Sequence, residues 1–194
     1  MIIADHIIFT AYGFWLPNDP RGSWSEFVRS WDLLLAAGNA TTTEQRRSVA
    51  SRAHDPETRR AGKRALRYAP VRFDGHQAIS IAAGFAKAIA ESDYSVYACA
   101  ILPDHAHLVV ARHARDPKRI AGHLKARATQ ALAEDRRHPF QDALEPPSPW
   151  ARKCWKVFLD THDDVERAIR YVEKNPEKMG FRRQRWGFVT GFVR

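Results

Sequence analysis

Tyr94-Ser95-Val96-Tyr97-Ala98-Cys99-Ala100-Ile101-Leu102, then Pro103-Asp104, then His105-Ala106-His107-Leu108-Val109-Val110-Ala111 is the stretch on which the fold turns. Two runs of aromatic, β-branched and small apolar residues flank a two-residue break. They read as strand, tight turn and antiparallel partner strand. Alternate side chains of a strand share a face, so His105 and His107 point the same way and can present two neutral imidazoles to one cation. Histidine pairs at this spacing also serve as buried structural residues, so the pair alone leaves ligand and core open.

Further elements follow on either side. Residues 6–12 (His6-Ile7-Ile8-Phe9-Thr10-Ala11-Tyr12) read as a buried strand closed by Gly13. Ile79, Ala82, Ala83, Phe85, Ala86, Ile89 and Ala90 place an apolar face on a crossover helix after the Asp74-Gly75 turn. Asp116-Pro117 starts a second helix, with Ile120, Leu124, Ala128, Ala131 and Leu132 inward and Lys118, Arg119, Lys125 and Arg127 at its margins. Those margins are either phosphate contacts or a solvated face. Residues 155–160 supply a fourth strand, and Asp163 or Asp164 is expected to cap a last helix packed through Val165, Ala168, Ile169 and Val172. On it Tyr171 and Asn175 stand one turn apart, and Pro176 predicts the helix end at Asn175. The order predicts an α+β fold: a ferredoxin-like antiparallel β-sheet with helices packed on one face.

The 194 residues suit a single domain, with residues 16–75 as an insertion and 181–194 as a basic aromatic tail. Within the insertion, residues 14–25 read as a loop, and Trp24, Phe27, Val28, Trp31, Leu34 and Leu35 recur at helical spacing, predicting a short amphipathic helix packed into the core. Lys plus Arg number 31 against 22 Asp plus Glu, a net charge of +9 that favours a polyanionic partner. Residues 41–70 hold eight of those cations (Arg46, Arg47, Arg52, Arg59, Arg60, Lys63, Arg64, Arg67) against three acids. Such a run is either a solvated face or a contact with nucleic acid. In the tail, Trp186, Phe188 and Phe192 alternate with Arg182, Arg183, Arg185 and Arg194, a pattern that fits base stacking or packing on the sheet. Cys99 and Cys154 form no Cys-x-x-Cys pair, and no stretch has the length and apolarity of a membrane span, so a cytoplasmic protein is expected.

The segment Ile101-Leu102-Pro103-Asp104-His105-Ala106-His107-Leu108-Val109-Val110 resembles the signature of the single-tyrosine HUH transposases. Tyr171-Val172-Glu173-Lys174-Asn175-Pro176-Glu177-Lys178-Met179-Gly180 is similar to the Tyr-x-x-x-Asn-Pro-x-Lys-x-Gly segment of the REP-associated tyrosine transposases. The resemblance covers roughly residues 1–15 and 76–180. It implies an HUH nuclease fold and cleavage of single-stranded or hairpin DNA through a 5′-phosphotyrosine intermediate. Tyr171 would be the nucleophile, with magnesium or manganese held by His105, His107 and Asn175. The protein would act as a monomer or homodimer, with Lys118, Lys125, Arg127, Arg182, Arg183 and Arg185 as candidate DNA contacts. Two other readings are a non-cleaving DNA-binding protein descended from such an enzyme, and a zinc hydrolase using both histidines with a carboxylate such as Asp104.

Overall fold

The computed structural model describes residues 1–45 and 49–193. Arg46, Arg47 and Arg194, counted above among the candidate cations, lie outside the described residues. The chain divides into two compact units, Met1–Tyr12 with Arg72–Arg194, and Gly13–Val71.

The first unit is α+β. Its strands β1 (Ala4–Thr10), β2 (Val96–Ile101), β3 (His105–Ala111) and β4 (Trp155–Leu159) form an antiparallel sheet in the order β2-β3-β1-β4. With the intervening helices α3 (Gly75–Ser92) and α4 (Pro117–Glu134), this is the ferredoxin-like order. The β2–β3 hairpin turns at Pro103-Asp104, closed by the Leu102 amide donating to the His105 carbonyl at 2.8 Å. Helix α3 starts with a capping box between Asp74 and Gln77, and α4 with Asp116 as cap and Pro117 in the first turn.

Residues paired across antiparallel strands share a face. The register Ile8↔His107, Thr10↔His105, Ala100↔His107 and Ile8↔Trp155 therefore puts both histidines on one side. Phe9, on the other side, meets Phe85 of α3 edge-on, with ring centroids 5.9 Å apart, and the Lys125 ammonium of α4 at 5.2 Å. The histidine side carries helix α5 (His162–Lys178), whose Val165, Ala168 and Val172 pack with Ala98, Ala100, Val109 and Leu159. Helices thus lie on both faces where one was expected. α3 and α4 fill the ferredoxin-like face, and α5 covers the side that the histidines occupy.

Three local expectations are corrected. The buried face of α3 runs through Ser80, Ile81, Ala82, Gly84, Phe85 and Ala88, so Ala82 and Phe85 point inward as expected while Ile79 is exposed. Small residues, invisible to an apolar count, face α4: a Cβ on Gly84 would lie 2.5 Å from the Arg127 carbonyl oxygen. Thr161 caps α5 in place of Asp163 or Asp164, accepting the Asp164 amide at 3.1 Å. The helix also passes through Pro176 to Lys178. Proline removes one donor in the last turn, where Asn175 and Pro176 are buried and packing holds the chain helical.

In the second unit, helices α1 (Trp31–Ala37) and α2 (Pro56–Arg64) pack through Gly62, where an added Cβ would lie 3.1 Å from that of Ala37 and 3.4 Å from Leu33. Ser30 caps α1 by accepting the Leu33 amide, so the helix starts seven residues later than Trp24. The Asn18 amide closes its far end on the Leu33 and Gly38 carbonyls. Only Leu33 of α1 is buried; the predicted core stripe of Trp24, Phe27, Trp31 and Leu35 is exposed. No described helix is long and apolar enough to cross a membrane.

Candidate active site

Strand pairing brings His105 and His107 together, with ring centroids 4.7 Å apart. His105 Nδ1–H donates to Asp104 Oδ1 at 2.6 Å, which leaves the lone pair on Nε2. Burial pushes the Asp104 carboxyl up. Its hydrogen bond and charge interaction with His105, together with Arg72, bring it below the ordinary carboxylate value. Asp104 therefore stands behind the imidazole as its orienting carboxylate.

His107 is buried and pairs with a third histidine that sequence reasoning treated only as the start of a strand. His6 lies diagonally across from it on β1, with Nε2 3.0 Å from His107 Nδ1. Burial holds His6 down at about 4. Burial first, then the charges of His105, His6 and Lys178, hold His107 well below its ordinary value. Both imidazoles are neutral at pH 7. When His107 Nδ1–H is the donor, its Nε2 carries a lone pair and is a ligand; the opposite tautomer would make it a donor. The alternation rule places His6 and His107 on one face once the register is known, but nothing local in residues 1–12 reveals that register.

Tyr171 of α5 leans edge-on against this group, its ring centroid 5.6 Å from that of His107 and 6.0 Å from that of His6. Tyr171 is 41% exposed, so the residue is reached from solvent. Lys178 places its ammonium over the Tyr171 ring, 4.6 Å from the centroid, in a cation–π contact. Asn175, one helical turn beyond Tyr171, is buried, and its Nδ2 has no hydrogen-bond partner.

Among the described residues no group of three or more His, Cys, Asp and Glu is arranged to hold a metal ion. The donors that the resemblance implies are of another kind: two imidazoles and an amide. A buried amide lacking a protein partner requires explanation, and its oxygen and nitrogen exchange places by a flip. Neutral imidazoles and an amide oxygen fit a divalent cation of the nitrogen- and oxygen-binding type.

The remaining candidates separate by position. Lys118, Arg182 and Arg185 are exposed. Arg183 is exposed and paired with Glu173 at 2.6 Å. Arg127 is half-buried and occupied by Glu91 at 2.7 Å and Gln130. Lys125 is buried, its ammonium donating to the Ala151 and Lys153 carbonyls at 2.8 and 2.9 Å. Burial pushes Lys125 down to about 8, and its position two turns into α4 faces the sheet, away from solvent. The tail aromatics pack: Trp186 stacks on Phe188, and Phe192 meets Tyr97 with centroids 5.0 Å apart.

No family model and no curated protein matches the sequence. The structure is similar to that of a REP-associated tyrosine transposase bound to a REP hairpin, with a TM-score of 0.48 and 13% identity over 93% of this chain and 70% of that one.

Proposed function

We propose that the protein is a metal-dependent single-stranded DNA endonuclease and strand transferase that works through a 5′-phosphotyrosine. The observation that carries this reading is the half-exposed Tyr171 ring set edge-on against His107 on the histidine face of the sheet. The motif resemblance at residues 101–110 and 171–180 supports it independently of that geometry.

In the proposed reaction the Tyr171 oxygen attacks phosphorus. The phosphorus–O3′ bond breaks, the tyrosine proton passes to solvent or a base, and the departing oxygen takes up a proton as a free 3′-hydroxyl. The reverse attack, by a 3′-hydroxyl on the phosphotyrosine, rejoins a strand and releases Tyr171. His105, His107 and Asn175 would hold magnesium or manganese, which when bound supplies charge stabilisation at the phosphate. Asp104 fixes the His105 tautomer for that task, and His6, by accepting from His107 Nδ1–H, would leave His107 Nε2 free to bind. The Lys178 ammonium over the Tyr171 ring adds positive charge on the side from which a phosphate would approach. Asp104 spends its carboxylate on His105, which disfavours its use as a third ligand in a zinc hydrolase.

The test is incubation with end-labelled hairpin and single-stranded DNA plus manganese, followed by a denaturing gel. A covalent adduct is expected from the parent protein and none from Tyr171→Phe. An adduct from the mutant, or none from either protein, overturns the reading.

A further inference from the structure

A soluble chain seldom leaves large apolar side chains in water together, yet α1 does so. Trp31 and Leu35 are each 68% exposed. Leu33 faces α2 at Gly62, and a step of two residues turns a helix by about 200°, so Trp31 and Leu35 stand together on the side away from α2. Ser30 fixes the start of the helix and Asn18 its end, so this exposure belongs to the fold. Just ahead of the helix Phe27 is 52% exposed, with the Arg29 guanidinium 4.9 Å from its ring centroid.

The charges around these side chains are mixed. Glu26, Arg29 and Asp32 are exposed, and among the described residues none of the three meets an opposite charge. Two acids against one base leave residues 24–35 slightly acidic in a chain of net charge +9. Those acids disfavour a phosphate backbone or an anionic membrane as the occupant. They favour a second copy of this chain, because two molecules of charge +9 repel each other least where the surface is not basic.

Association about a two-fold axis requires a patch that complements itself. This stretch meets that requirement: its unpaired base and unpaired acids find their counterparts on another copy of the same stretch, around an apolar centre. At their exposures Phe27, Trp31 and Leu35 present roughly 400 Å² per copy, about half of the ~800 Å² that each partner buries in a standard interface. A polar rim supplies the rest of such an interface.

We propose that two copies of the protein associate through the outer face of α1 and residues 26–29, with Trp31 and Leu35 at the centre and Arg29 of each copy facing the acids of the other. The surface lies in the Gly13–Val71 unit, uses none of the residues that would cut, and does not depend on the cleavage reading.

The experiment is sedimentation velocity of the full chain across micromolar concentrations. The parent should reach a dimer, and Trp31→Glu should weaken association about tenfold or more, as removal of a central tryptophan anchor does. The position is exposed, and circular dichroism checks that the fold is kept. Charge variants test whether the patch pairs with itself. Arg29→Glu makes the stretch wholly acidic, and Glu26→Arg with Asp32→Arg makes it wholly basic. Each should be monomeric alone, and an equimolar mixture of the two should recover the dimer. A monomeric parent, association unchanged in Trp31→Glu, or a mixture that stays monomeric each overturns the inference. A parent that dimerises in this way but forms no adduct with hairpin DNA strikes the cleavage reading alone.

Discussion

Replacing Gly84 by alanine should destabilise the protein, although alanine is ordinarily the better helix former. The added Cβ would lie 2.5 Å from the Arg127 carbonyl oxygen and 2.6 Å from the Ala128 nitrogen and Cα. These are backbone atoms of α4, so no side-chain rotation relieves them. Carbon contacts settle near 3.5–4.0 Å, so α3 and α4 must part by roughly 1 Å along the crossing. Overpacking of this kind costs ~1–3 kcal/mol, and contact with rigid backbone belongs at the upper end. Alanine's helix propensity returns about 1 kcal/mol. The net loss of about 2 kcal/mol corresponds to a Tm lower by ~4–8 °C for a chain of this size. Gly122, on α4 with nothing within 4 Å of its virtual Cβ, is the internal control. Gly122→Ala should raise Tm slightly. Scanning calorimetry of both variants decides the matter. A Gly84→Ala protein as stable as its parent would mean that the helices do not meet backbone to backbone there.

Two further outcomes are expected. Calorimetric titration with manganese should show binding to the parent and none to His105→Ala/His107→Ala; equal binding by both would reject the donor set, and a lower Tm with unchanged binding would mark the pair as structural. In chelator, acid should destabilise the fold. His6 is held at about 4, below the ~6.5 of an unfolded histidine, so its full contribution is present above that value and is lost as pH falls from 6.5 toward 4. Those roughly 2.5 pH units correspond to about 3 kcal/mol, and His107, shifted the same way, adds to the loss. Urea midpoints at pH 7 and pH 4.5 measure the drop, which His6→Phe should reduce; midpoints that do not move with pH would refute it.

The sheet was legible because strand signals are local. Alternation through His105, His107 and Val109, the Pro103-Asp104 break and the Asp116-Pro117 helix start are each written within a few residues. The partner of His107 was not, because His6 is 101 positions away and reaches it only through the β1–β3 register. Helical periodicity misread residues 24–35 because spacing reports which residues share a face, not whether that face meets anything. Pro176 misled for a related reason: its local preference yields to burial of Asn175 and Pro176 in the last turn of α5. Lys125 and Arg127 were grouped by charge at the margins of α4, but two residues apart on a helix they stand about 200° from each other, so one meets backbone carbonyls under the sheet and the other meets Glu91 of α3.

The Gln184 side chain does for the outer strand β2 what another strand would do. Its amide donates to the Ile101 carbonyl at 2.7 Å and accepts the Ile101 amide at 2.8 Å, and further along the Thr190 amide donates to the Val96 carbonyl. One border of the sheet is therefore sealed by its own chain, and β4 forms the other. A molecule that can be extended from a single border can join one more copy and then has nothing left to offer, so strand-to-strand assembly ends at a closed pair. Removal of the residues after Gly180 would give each copy two usable borders and turn a self-limiting contact into one that propagates.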